Sequence, residues 1–322
     1  MKTHIAIAAA VAGAFVTTPM PSTAQTYPSR AIVVVDSYPP GGASDVLMRL
    51  VGKRLNEVLG QPVVIEAKPG AAGTIGAAYV ARAKPDGHTL LVSNSGPNAI
   101  APSIFPKLQY DVKSDFAPVM RLTTLPMFYC VAAGSPFSNL RELVDASRSG
   151  PINFGSTGTG GLGHLTGEIL NKAAGARMTH VGYRGAAPLM TAVLAQEVHM
   201  GVLSGPDANP HMQAGKMRCL AVASAKRSGL VPAVPTAQEA GVPQVISEGW
   251  FGLFAPAGTP AAVTLKLQSA ISTLLAEPAI RARMAEIGLE AAPNSPSEFA
   301  AMVRADTDKY ADVVKAVGIK LE

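Results

Sequence analysis

A short β-branched run, a glycine-bearing turn and a stretch with helical spacing follow one another from residue 31 onward, and the series then repeats. Ala31-Ile32-Val33-Val34-Val35 has no polar side chain, as expected of a strand covered on both faces. Over 44–59, Leu47, Val51, Leu55 and Val58 fall along one stripe of a helix that Gly60 ends. Pro62-Val63-Val64-Ile65-Glu66 is the next strand, 74–84 is helical, and Thr89-Leu90-Leu91-Val92 is a third strand. Strands joined through helices lie parallel with right-handed crossovers, so the expected unit is a doubly wound α/β sheet.

The pattern changes character over 116–125 and then resumes. Strands are expected at 127–132, 152–154, 179–181, 199–203 and 218–223, with helices at 161–173 and 187–195. Proline- and glycine-bearing connectors at 231–243 lead to a strand over 250–255, and helices at 260–275, 278–287 and 296–317 close the chain. Three closing helices after two α/β blocks imply that the C-terminus returns to cover the first block. A chain of this length divides into two cores more readily than it builds one. The expected division is a first lobe of residues 25–124 and 226–322 and a second of 125–225, with the second boundary open between 224 and 249.

Met1-Lys2-Thr3-His4, an apolar run over 5–16 and the small-x-small triplet Ser22-Thr23-Ala24 follow the order of a secretory leader. The run is too short to cross a bilayer, and no other stretch is long and apolar enough to do so. Cleavage after Ala24 leaves Gln25 first and sends the product to the periplasm; the cleavage site has no Cys to carry a lipid. The formal net charge of +5 falls by one when Lys2 leaves with residues 1–24. That mild excess suits a small anionic ligand. Scattered Lys and Arg without interleaved aromatics argue against nucleic acid. Cys130 and Cys219 each lie in a strand-like apolar run. Two buried free thiols are the simpler reading, and pairing in an oxidising compartment is the alternative. No C-x-x-C or His/Cys group has ligand spacing, so neither a metal nor a cofactor is expected.

Four turns carry the chemistry. Tyr38-Pro39-Pro40-Gly41-Gly42-Ala43-Ser44-Asp45 opens the first helix, where glycines allow close approach and free amides with the helix dipole form a carboxylate site. Asp45 would repel an anion and is read as architectural. Pro69-Gly70-Ala71-Ala72-Gly73-Thr74 opens the second helix, and Ser93-Asn94-Ser95-Gly96-Pro97-Asn98 follows the third strand. Gly155-Ser156-Thr157-Gly158-Thr159-Gly160-Gly161-Leu162-Gly163-His164 lies between strand and helix in the second block. Loops of this kind leave the carboxyl ends of parallel strands, so two of them from two blocks can face one ligand. The candidate ligand-binding residues are Pro40, Gly41, Gly42, Ala43, Ser44, Ser93, Asn94, Ser95, Ser156, Thr157, Gly158, Thr159, Gly160, His164 and Arg184. His164 can hydrogen-bond a ligand or simply pack, and Arg184 can clamp a carboxylate or stand exposed on its loop. His180, His199 and His211 share no spacing and are read as structural. The turn after the first strand lacks the G-x-G-x-x-G of a dinucleotide site, no Lys follows the glycines of the fourth loop as a P-loop requires, and the G-x-S-x-G elbow is absent, so an enzyme is not expected.

The succession Tyr27-Pro28-Ser29-Arg30, Pro39 to Asp45, Gly60-Gln61-Pro62-Val63, Lys68-Pro69-Gly70-Ala71-Ala72-Gly73 and Lys84-Pro85-Asp86-Gly87-His88-Thr89 resembles the substrate-binding receptors of tripartite tricarboxylate transporters, the Bug proteins. The match continues through Asp115-Phe116-Ala117-Pro118-Val119, Gly182-Tyr183-Arg184-Gly185-Ala186-Ala187-Pro188 and Trp250-Phe251-Gly252-Leu253-Phe254-Ala255-Pro256-Ala257-Gly258-Thr259-Pro260, in order over nearly the whole chain. The resemblance implies a type II periplasmic binding protein fold, two α/β lobes joined by crossover strands around a ligand cleft. It implies a mono- or dicarboxylate ligand held by the loops at 39–44 and 156–164, with further contacts from 93–98. Handover to integral membrane permease subunits is implied as well, with the receptor acting as a monomer. One departure stands out. Where many relatives read Phe-Asp-Asn-Leu-Pro-Ser, this chain has Val202-Leu203-Ser204-Gly205-Pro206-Asp207, with Leu203 at the place of the usual acid. That loss points away from an amino-acid ligand and toward an apolar or aromatic carboxylate, unless Asp207 takes over the role. A receptor of the same fold that docks on a sensor kinase is the alternative function, and a secreted hydrolase a more remote one.

Overall fold

The computed structural model describes residues 27–319, so the leader and its cleavage site lie outside the described residues. β1 (Ile32–Asp36), α1 (Ala43–Leu59), β2 (Val63–Ala67), α2 (Thr74–Ala81) and β3 (Thr89–Asn94) form the βαβαβ unit, with β2 and β3 each parallel to β1. Leu47, Met48, Val51 and Leu55 of α1 are buried on the sheet, whereas Val58, expected on the same stripe, is 53 % exposed in the last turn. Gly60 stops α1 at φ 68°, with its amide on the Asn56 carbonyl at 2.9 Å. A wide helical turn, Gly96–Ile100, leads into the single turn α3 (Ala101–Ile104).

β4 (Phe116–Ala132) follows, a 17-residue strand that belongs to both lobes. Its first part, through Pro126, pairs antiparallel with β9, and the part from Met127 onward pairs with β7 and β8. Pro126 marks the junction, where the missing amide interrupts the ladder.

The second lobe runs α4 (Leu140–Ser149), β5 (Asn153–Ser156), α5 (Leu162–Ala174), β6 (Thr179–Gly182), α6 (Ala186–Leu194), β7 (Met200–Ser204), α7 (Gly205–Gln213) and β8 (Met217–Val222). β6 and β7 flank β5 in parallel. The chain returns through β9 (Glu248–Pro256), and α8 (Ala261–Ala276), α9 (Pro278–Glu286), β10 (Glu290–Ala291) and α10 (Pro296–Val317) close the first lobe. The strand order β2-β1-β3-β9-β4-β7-β5-β6 makes the two sheets continuous through β4.

Each sheet is buried on both faces, the first between two apolar clusters and the second between two others. Phe299 and Tyr310 of α10 are fully buried beside Trp250, which places the C-terminal helix over the first lobe.

One expectation is narrowed and two change. The second boundary, open between 224 and 249, is drawn at the start of β9, because Val234, Ala237, Val242 and Val245 pack in the second lobe's cores and the Ser247 amide bonds the Ala223 carbonyl at 2.8 Å. Cys130 and Cys219 are opposite partners of β4 and β8 and form a disulfide instead of remaining free thiols. The long strand also replaces the break expected over 116–125.

Candidate functional site

β1 delivers its turn to one side of the gap between the lobes. Gly41 adopts φ 83°, and the Gly42 amide reaches the Pro39 carbonyl at 3.3 Å, which folds the turn back so that Gly42 caps α1 with backbone alone. Asp45 accepts the Gly41 amide and Arg49 Nε, each at 2.9 Å, and so has the architectural role its charge required. Ser44 donates to Asp36 Oδ1 at 2.9 Å, and the Tyr38 amide donates to the same oxygen at 3.0 Å. Asp36 is fully buried, and desolvation pushes its carboxyl up to about 6 against those hydrogen bonds.

The second lobe supplies three helix starts. α5 begins at Gly161, α6 at Gly185 and α7 at Ser204, and like α1 none of them has a side chain capping its first amides. The first amides of a helix lack partners within it and carry the positive end of its dipole. The Gly185 amide bonds the Thr157 carbonyl at 3.2 Å, tying α6 to the loop before α5. Gly163 lets α5 start close against β7, since a Cβ there would sit 3.0 Å from the Val202 carbonyl oxygen.

The four starts share one cleft of about 670 Å³ between the lobes. Of the candidates, Pro40, Gly41, Gly42, Ala43, Ser44, Asn94, Ser95, Thr157, Gly158, Thr159 and Gly160 line it. Four do not. Ser93 is fully buried in β3 beside Ser37, and Ser156 turns its hydroxyl to the Gly158 carbonyl at 3.0 Å and His180 Nε2 at 2.8 Å. His164 accepts the Gly160 amide at 3.0 Å and stacks on His180 at 3.6 Å behind the loop, so it supports the wall without forming it. Burial pulls both imidazoles down to about 4. Arg184 is exposed, and its neighbours Gly185 and Ala186 line the cleft in its place.

Sequence reasoning missed the apolar half of the wall. Ile100, Ala101, Ile104 and Phe105 come from the turn after β3, and Leu125, Met127 and Phe251 from the crossing strands. Most of these positions sit among other apolar residues, and nothing in their spacing separates a cleft face from a core face.

Comparison with known proteins decides the family. Residues 47–319 match the profile described as "Tripartite tricarboxylate transporter family receptor". A UPF0065 protein of Bordetella bronchiseptica is 37 % identical over 297 residues, 92 % of this chain and 88 % of that protein. The chain belongs to the tripartite tricarboxylate receptor family. Among solved structures, R. palustris Rpa4515 with adipate is 32 % identical at a TM-score of 0.83, covering 92 % of this chain and 100 % of the other. The periplasmic binding protein BugD is 30 % identical at a TM-score of 0.80, again over 92 % and 100 %.

Receptors of this family are substrate-binding proteins of the periplasm, not enzymes, and they work with the membrane subunits of the transporter. In this receptor Leu203 is fully buried in a second-lobe core opposite Phe128, away from the cleft. The acid in the wall is Asp207, whose Oδ2 accepts the Ser204 hydroxyl at 2.6 Å and whose carboxyl is pushed up by burial.

Proposed function

We propose that the mature chain, released after Ala24, captures a small carboxylate in the periplasm as a monomer and delivers it to the permease subunits of a tripartite tricarboxylate-type transporter. The reading is carried by one observation: four helix starts without side-chain caps, one from the first lobe and three from the second, line a single cleft. Backbone amides and dipoles of that arrangement stabilise one negative group without any cationic side chain. The adipate held by the R. palustris relative supports a carboxylate guest. Approach of the lobes about β4 and the β9 junction excludes water, and the closed form offers the permease a surface the open form lacks. Titration calorimetry and thermal shift of the mature chain across mono-, di- and aromatic carboxylates test the proposal. Heat of binding and a raised melting temperature with at least one carboxylate are expected; silence across the panel refutes it.

A further inference from the structure

Among the described residues, only one side chain in the cleft wall is of the Asp, Glu, Lys, Arg or His type, and it is an acid, Asp207. It stands in the first turn of α7, which leaves β7 beside the loop that leaves β5, because the two strands are parallel neighbours. Adjacent strands lie about 5 Å apart, so the starts of α5 and α7 are neighbours in the wall, and a guest whose carboxylate sits at the α5 start presents its neighbouring carbon toward Asp207. The Ser204 hydroxyl and amide take two of its roughly four acceptor positions. No described lysine, arginine or histidine lines the cavity to meet what remains. From the first lobe, Ile100, Ile104, Phe105 and Phe251 face the same space as an apolar wall.

A guest with one carboxylate and a plain hydrocarbon body satisfies the helix starts and the apolar wall, but it buries Asp207 against nothing that donates. A second carboxylate at that place is worse, since it meets an acid with no cation nearby. A hydroxyl or ammonium beside the carboxylate satisfies all three features together. Resting on the receptor reading above, we infer that this cleft takes a carboxylate with a hydrogen-bond donor, hydroxyl or ammonium, on the neighbouring carbon and an apolar body beyond it. Asp207 accepts from that donor. Leu203 alone pointed away from amino acids, and Asp207 in the wall reverses that argument.

A set of four probes with one phenyl body tests this by calorimetry on the mature chain at neutral pH: phenylpropionate, phenyllactate, phenylalanine and benzylmalonate. They differ only in the group next to the carboxylate, which is hydrogen, hydroxyl, ammonium or a second carboxylate. Phenyllactate or phenylalanine is expected to bind about tenfold or more tightly than phenylpropionate, with benzylmalonate weakest. Asp207→Ala should abolish the donor's advantage, read as the ratio of dissociation constants. Asp207→Asn should keep it for a hydroxyl and lose it for an ammonium, which identifies the donor. The inference is overturned if phenylpropionate binds as tightly as both donor-bearing probes, or if benzylmalonate binds tightest. The ranking in the unmodified protein is decisive even where a variant fails to fold. If other carboxylates bind and none of these four does, the inference falls and the receptor reading stands; if no carboxylate binds at all, both fall.

Discussion

Gly161 holds a position where stability and binding pull apart. Its φ of −77° and ψ of 170° suit any residue, and a Cβ there meets nothing closer than the Gly158 carbonyl oxygen at 3.4 Å. An aspartate at such a position caps its own helix, which favours it over glycine by a few tenths of a kcal/mol. It also places a fixed carboxylate where the guest's belongs. Gly161→Asp is therefore expected to raise the melting temperature slightly and to weaken carboxylate binding about tenfold or more, read by thermal shift and calorimetry on one preparation. Undiminished carboxylate binding by the folded variant would mean that the helix start is not the anion site. The His164–His180 stack behind the same loop gives the molecule a pH signature. Both rings fall from 6.5 to about 4 on folding, so their contribution is complete above 6.5 and disappears as pH drops through 4. Asp36 works in the opposite sense, because its carboxyl rises from 3.8 to about 6 and favours the folded state at low pH. Glu168, Asp207 and Glu248 are raised by burial as well, so the share of the stack is read as a difference: the denaturant midpoint of His180→Asn should fall less than that of the unmodified protein between pH 6.5 and pH 4. The same loop shows why polar residues misled at this scale. Ser93, Ser156 and His164 look like ligand contacts by type, yet side chains in tight turns often spend their hydrogen bonds on nearby backbone and buried neighbours.

Elements were legible where a local pattern fixes them. β1 through β3 and the closing helices α8 to α10 stand within a few residues of their expected places, because β-branched runs, glycine stops and the Ser295–Glu298 capping box are local signals. β4 was not, since Pro118, Thr123, Thr124 and Pro126 interrupt any period within a strand whose partners lie in two different sheets. α7 was hidden by Gly205, Pro206 and Pro210, all poor helix formers, the last inside the helix. α4 carries the Asn139 cap, which accepts the Glu142 amide at 2.9 Å, and it lies between two expected strands, yet the expected elements include no helix over 140–149. The pairing of β4 with β8 also bears on stability. The disulfide between them closes 89 residues of the second lobe. A cross-link over a loop of that length stabilises typically by about 2–4 kcal/mol through the unfolded state. Reductant, or Cys130→Ser with Cys219→Ala, should lower the denaturation free energy by that order while carboxylate binding survives below the transition, because neither cysteine lines the cleft. An unchanged midpoint under reductant would show that the bond contributes nothing in solution.

For the whole molecule, the lobe boundary decides what can move. Among the described residues the two lobes meet through β4, the return into β9 and contacts such as Leu165 of α5 against the first lobe's Trp250 cluster and Gly205 of α7 against Gly288. That geometry favours rotation of one lobe against the other over distortion within either, because a packed sheet resists bending and the Pro126 junction lacks one ladder bond. A guest touching helix starts from both lobes binds the closed form better than the open one, and that difference in affinity is the only energy available to drive closure. Two readouts then have to agree. Scattering from the mature chain should give a smaller radius of gyration when a binding carboxylate is added. At about 100 times its dissociation constant the same ligand should add about 2.7 kcal/mol to the unfolding free energy, as one-site binding to the native state requires. Stabilisation of that size with an unaltered scattering profile would locate the guest on one lobe alone. It would then leave the α1 start and the three second-lobe starts without a common ligand, and the cleft without the role proposed for it.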